Sequence, residues 1–161
     1  MNQKKLNAIK QIKKELEEFR KEPIYFISCG ITVGLINSED VFKWKIIMNG
    51  PLDSPYAGGL FFLHAELPED YPNSAPKIKF INKIYHLNVN DNGYVSISTL
   101  NSWVKGTTMA EVLTLIFALF YKQNPESSYY NDRAYLFKNI RKEFEKNARE
   151  WTQKYASTKD D

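Results

Sequence analysis

Apolar side chains recur at every second position in two successive stretches, and that period restricts the fold more than any other feature of the chain. In "VFKWKIIM", Phe42, Trp44, Ile46 and Met48 fall on one face while Lys43 and Lys45 fall on the other, the pattern of a half-buried β-strand. "LFFLHAEL" alternates again, and "KIKF" is a short strand behind the proline-rich corner "LPEDYPNSAP". "GPLDSPYAGG" is a loop by its proline, glycine and aspartate content. "YFISCGITVG" precedes them as an early strand. Strands consecutive in sequence and joined by short turns pair as an antiparallel meander, because a parallel crossover needs a dozen or more residues between strands.

Helical spacing flanks this section. Leu6, Ile9, Ile12, Leu16 and Phe19 recur every three or four residues with Lys and Glu between them, predicting an amphipathic helix ended by Pro23. From Leu87 to Val104 no period lasts, which predicts an extended, irregular segment. Thr108 then stands three residues before Glu111, a capping-box arrangement. Behind it Val112, Leu113, Ile116, Phe117 and Phe120 make a helix apolar enough to be largely buried, stopped by "KQNPESS". Leu136, Ile140, Phe144, Ala148, Trp151 and Tyr155 keep helical spacing to nearly the end. The expected class is α+β: an N-terminal helix, a four-stranded antiparallel meander sheet, a long irregular segment, and C-terminal helices packed on the sheet. Phe117, Phe120 and Trp151 are expected in the core, and Tyr71, Pro72 and Pro76 at a packed corner. At 161 residues the chain suits one domain over residues 1–161, able to bury roughly 70% of its extended surface.

Charge and cysteine usage remove several function classes. Lys+Arg 22 against Asp+Glu 19 gives +3, with bases and acids interleaved, so no nucleic-acid partner is expected. No apolar run approaches the roughly 20 residues of a membrane span, and the N-terminal stretch lacks the apolar core of a secretion signal, so the cytoplasm or nucleus is expected. Cys29 is the one cysteine, and it and the two histidines show no metal-ligand spacing. Neither metal nor cofactor is expected. Cys29 reads as a small buried hydrophobe and not a nucleophile, and His64 as a surface or edge residue and not a ligand.

Three stretches carry a resemblance. "FKWKIIMNGPLDSPYAGGLFFLHAELPEDYP", "KIKFINKIYHLNVNDNGYVSISTL" and "AREWTQKYA", in this order and at this spacing, resemble the ubiquitin-conjugating enzymes over about residues 6–156. The resemblance implies the fold of that family. It also implies a chemistry in which an active-site cysteine accepts the C-terminus of ubiquitin, or of a ubiquitin-like modifier, as a thioester from an activating enzyme. The acyl group then passes to a substrate lysine, usually with a ligase. His86 and Asn88 match the ends of the His-Pro-Asn signature, with Leu87 in place of the proline. Ser96 occupies the position of the nucleophile. Asn88 holds the oxyanion-stabilising position, with a bracing role for the loop as the alternative, and His86 reads as a hydrogen-bonded structural residue. Ser98 and Ser127 stand where acidic residues are common, and the segment from Ser96 to Trp103 is one residue shorter than the commonest pattern. Lys10 and Lys14 match basic positions that contact activating enzyme and ligases, or form a solvated face. Asn73 replaces an apolar docking side chain in the proline-rich corner, and Val104, Lys105 and Gly106 replace a Ser-Pro-Ala turn.

Serine is a poor substitute for the family's thiol. A cysteine with a pKa near about 8.5 keeps some thiolate at neutral pH, whereas a hydroxyl needs an adjacent base to attack at all. Any oxyester formed would also be attacked by amines less readily than a thioester. The chain is therefore expected to be a diverged family member that forms no thioester and acts as a binding or regulatory partner, of the modifier or of an active conjugating enzyme. The alternative is an active enzyme carrying an engineered Cys-to-Ser change at Ser96. The further departures at Leu87, Ser98 and Ser127 favour natural divergence, since engineering changes one position.

Overall fold

A computed structural model describes residues 2–21 and 30–157. Pro23 and Cys29 lie outside the described residues. Helix α1 spans Gln3–Lys21 and is followed by strands β1 (Ile31–Leu35), β2 (Lys43–Asn49), β3 (Leu60–Glu66) and β4 (Lys77–Phe80). The strands form one antiparallel sheet in the order β1-β2-β3-β4, the meander that the two-residue period predicts. Ile46 lies opposite Val33 and Leu63, and Trp44 opposite Leu35 and Ala65. Trp44, Ile46, Met48, Phe61, Leu63 and Ile78 are buried on the inner face, while Lys43, Lys45, Phe62 and Glu66 are exposed on the outer one. His64 is half-buried on that outer face and sits in β3, an interior strand, so it is not an edge residue.

The inner face is covered by α3 (Met109–Ala118) and by the chain that follows it, whose Phe120 ring packs 5.2 Å from Phe61 and 6.2 Å from Phe80. Thr108 accepts a hydrogen bond from the Glu111 amide at 3.2 Å, the N-cap half of the predicted capping box. The neighbouring Met109 amide donates instead to Glu15 Oε1 of α1 at 2.7 Å, and Tyr71 Oη donates to the same oxygen at 2.9 Å. A buried carboxylate thus ties α1 to both the proline-rich corner and the start of α3.

The C-terminal spacing, continuous in sequence, divides into α4 (Asn131–Asn139) and α5 (Arg141–Tyr155), with α2 (Ser98–Asn101) lying earlier. The break is Ile140, at φ −135° and ψ 65° and 48% exposed. Two residues seven apart in one straight helix are separated by about 10.5 Å along its axis. The break lets the Phe137 and Phe144 rings meet at 5.1 Å instead. Phe120 is buried as expected, but Phe117 and Trp151 are only half-buried at the margin of the core. Among the described residues no helix is long and apolar enough to cross a membrane.

Candidate functional site

The segment from Leu87 to Val104, irregular by its pattern, is built from a hairpin and the single-turn helix α2. Ser96 N–H donates to Asn88 O at 2.8 Å, Asn90 N–H to Tyr94 O at 2.9 Å, and Val89 bridges Val95. The Asn-Asp-Asn-Gly run makes the turn: Asn90 Oδ1 accepts from the Asn92 and Tyr94 amides at 3.0 and 2.9 Å. Gly93 adopts φ +91°, and a Cβ there would stand 2.1 Å from Phe80 O. Close backbone approach lets Phe80 N–H donate to Gly93 O at 2.8 Å, so the hairpin docks on β4.

Ser96 ends this hairpin, half-buried. Its hydroxyl oxygen accepts from Asn101 Nδ2 at 3.3 Å, and an amide donor cannot remove a hydroxyl proton. His86 does not turn toward it. The imidazole is 1% exposed, with Nε2 donating to Leu119 O at 2.8 Å and Nδ1 accepting from Asn88 N–H at 2.9 Å. Nδ1 must be unprotonated to accept, so the ring is the neutral Nε2–H tautomer. Burial, chiefly, pushes its pKa down to about 4.

Asn88 is fully buried, and its side chain is committed. Nδ2 donates to Asn124 O at 2.8 Å and Ser127 O at 3.2 Å, while Oδ1 accepts from Asn124 N–H at 2.9 Å. Those bonds brace the loop after α3 against the hairpin. Leu87 adds a second stitch, its amide donating to Gln123 Oε1 at 2.9 Å, while Gln123 Nε2 donates to Tyr56 Oη at 2.8 Å. Proline at position 87 could not make that first bond. The departure from the signature is thus matched by a buried acceptor.

The remaining predicted residues lie at the surface. Ser98 opens α2 and is exposed; Ser127 is exposed, its hydroxyl 3.3 Å from Asn124 Nδ2. Lys10 and Lys14 are exposed on α1, Asn73 in the corner, and Lys105 in the turn closed by Thr107 N–H donating to Val104 O. Trp103 Nε1 donates to Pro72 O at 2.8 Å, so the turn bearing Lys105 and the corner bearing Asn73 are joined. None of these four lysine and asparagine side chains is brought against Ser96.

Three residues that sequence reasoning passed over complete the site: Gln123, Tyr130 and Arg133. Tyr130 Oη donates to Val89 O and is 2.9 Å from Asp91 Oδ1, holding the hairpin from behind. Burial first, and the Asp91 bond second, push its pKa up to about 12. The Arg133 guanidinium stacks 3.7 Å from the Tyr130 ring centroid, 4.3 Å from Tyr85 and 5.0 Å from Trp151. A cleft of about 350 Å³ opens beside this stack, lined by Ile84, Val89, Asp91, Gly93, Tyr130 and Trp151 among others. An isolated arginine, glutamine or tyrosine carries no periodic signal. Among the described residues no group of three His, Cys, Asp or Glu side chains could hold a metal ion. The family model described as ubiquitin-conjugating enzyme matches residues 11–152 of the chain.

Proposed function

The chain belongs to the ubiquitin-conjugating enzyme family, and on that premise we propose that it is a diverged member which forms no thioester. Domains of this family interact with ubiquitin or ubiquitin-like modifiers, activating enzymes and ligases. Within that pathway the chain acts as a binding or regulatory partner, in the cytoplasm or nucleus.

One observation carries the reading: among the described residues, the hydroxyl at the nucleophile position is met by the Asn101 amide and by no base. The nearest histidine in sequence, His86, spends one ring nitrogen on Leu119 O and the other on the Asn88 amide. Asn88, at the oxyanion position, spends its amide on the loop from Asn124 to Ser127. Asn73 puts a polar side chain where the family's proline-rich corner offers an apolar anchor, of the kind that supplies most interface energy, so ligase docking rests on the neighbouring turn, where Val104 is exposed beside Lys105. Lys10 and Lys14 remain available for an activating enzyme or partner.

A second reading, an active conjugating enzyme with an engineered serine at position 96, draws on a different observation. The frame around Ser96 is complete, with the hairpin, the His86 bonds and the Asn88 brace all formed. Ser96→Cys separates the two when supplied with activating enzyme, ATP and ubiquitin. The proposal expects no adduct sensitive to reducing agent on either the native chain or the variant. A reducible band on the variant supports the engineered reading, and native-chain ubiquitin transfer to a target overturns the proposal.

A further inference from the structure

Arg133 is a buried cation without an anion. It is 8% exposed, and its Nη1 is closed to solvent and makes no hydrogen bond. Among the described residues the ion pairs are Lys5–Glu69, Arg20–Glu17, Lys138–Glu126 and Arg149–Glu145, and none engages Arg133. Buried charges are ordinarily paired, because desolvating a lone one is strongly unfavourable. The faces of Tyr130, Tyr85 and Trp151 offset part of that cost. A ring face attracts the charge, but it gives Nη1 no lone pair to bond.

The position of Arg133 adds to its charge. It is the third residue of α4, and helical side chains lean toward the N-terminus, which brings the guanidinium onto the ring of the N-cap residue Tyr130. Tyr130 gives the helix no side-chain cap, so the positive end of the helix dipole reinforces the guanidinium. The same two rings, Tyr130 and Trp151, line the cleft of about 350 Å³ together with Ile84 and Val89. The guanidinium thus packs on two residues of the cleft wall. Lys83 and Asp91, the charged residues of that lining, are both exposed and opposite in sign. They offset each other and leave Arg133 as the surplus charge.

We propose that this cleft binds a small carboxylic acid with a flat apolar body, its carboxylate bonded to Arg133 Nη1 and its body against Ile84 and Val89. A single free nitrogen selects a monoanion. A phosphate would need several donors to satisfy its oxygens and would face the Asp91 carboxylate. The apolar lining selects a carbon body, and the volume falls within the roughly 300–1,000 Å³ of small-molecule sites. Because Nη1 is closed to solvent, binding turns the Tyr130 ring aside and gives up its Oη bonds to Val89 O and Asp91. The inference does not depend on what Ser96 can do.

The test titrates the full chain, 15N-labelled, with 2-naphthoate, with its neutral analogue 2-naphthamide and with inorganic phosphate. Naphthoate is expected to bind with a Kd of about 1 mM or tighter, with amide shifts centred on Val89, Asp91, Gly93, Arg133 and Trp151. Naphthamide, of the same shape without the charge, binds about tenfold more weakly or worse. Arg133→Met keeps the side chain's length, weakens naphthoate by about tenfold and leaves naphthamide unchanged. The comparison of acid with amide on the native chain decides the matter if that variant does not fold. The proposal is overturned by absence of shifts, by shifts centred elsewhere, or by equal binding of acid and amide. It is overturned equally if folded Arg133→Met binds naphthoate as tightly as the native chain. Phosphate, or a peptide with a free C-terminal carboxylate, shifting the same amides more readily than naphthoate also overturns it.

Discussion

His86 is a titration sensor by construction, because a proton on Nδ1 would sacrifice its bond from the Asn88 amide and place a charge among Tyr56, Leu119 and Arg133. The folded-state pKa lies near 4, below the ordinary 6.5. Below pH 6.5 the unfolded chain therefore binds the proton more readily, and the native state loses stability as pH falls from 6.5 to 4. The full loss is about 3 kcal/mol. Urea unfolding at stepped pH should show that slope, and His86→Gln should flatten it. A slope unchanged in the variant would assign it to other groups. Asn88 is the second test at this scale. Asn88→Ala removes a donor to two carbonyls and an acceptor for one amide, so we expect a cost of about 2–4 kcal/mol in thermal unfolding. An unchanged melting temperature would rule out its bracing role.

The hairpin from Asn88 to Ser96 depends on one backbone position. Gly93→Ala combines a left-handed φ with a Cβ driven into Phe80 O, so it should destabilise by about 2 kcal/mol or more and loosen the segment that carries Ser96. Hydrogen exchange at Ser96 and Asn90 would report this, and native-like protection there would contradict it. Element by element, the sheet was legible because alternation is its own signature: Trp44, Ile46 and Met48 had to face one way. The hairpin was not, since isolated bridges too short to show a period hold it and its turn is closed by Asn90 and Gly93. The split between α4 and α5 was equally hidden, because Leu136, Ile140 and Phe144 keep a helical period across a break made by the Ile140 backbone and accompanied by the Phe137–Phe144 ring contact. Within the candidate site, positions 86, 88, 96, 98 and 127 could be located from resemblance. That Gln123 answers Leu87, and that Tyr130 holds Val89, are side-chain pairings at separations of 36 and 41 residues that no local pattern encodes.

At the scale of the molecule, the inner face of the sheet assembles the core. Glu15 unites the parts that assemble. Its carboxylate is 3% exposed and serves Tyr71 and Met109 together. Glu15→Ala leaves two buried donors without an acceptor, at about 1–3 kcal/mol each, a large share of the 5–15 kcal/mol typical of a domain. Chemical denaturation should show that loss, and stability within about 1 kcal/mol of the native chain would refute the role of this tie. The same geometry orders events during synthesis. Helix α1 leaves the ribosome before Met109 does, so its Glu15 carboxylate must wait for an amide 94 positions downstream, and until that amide emerges this tie cannot form.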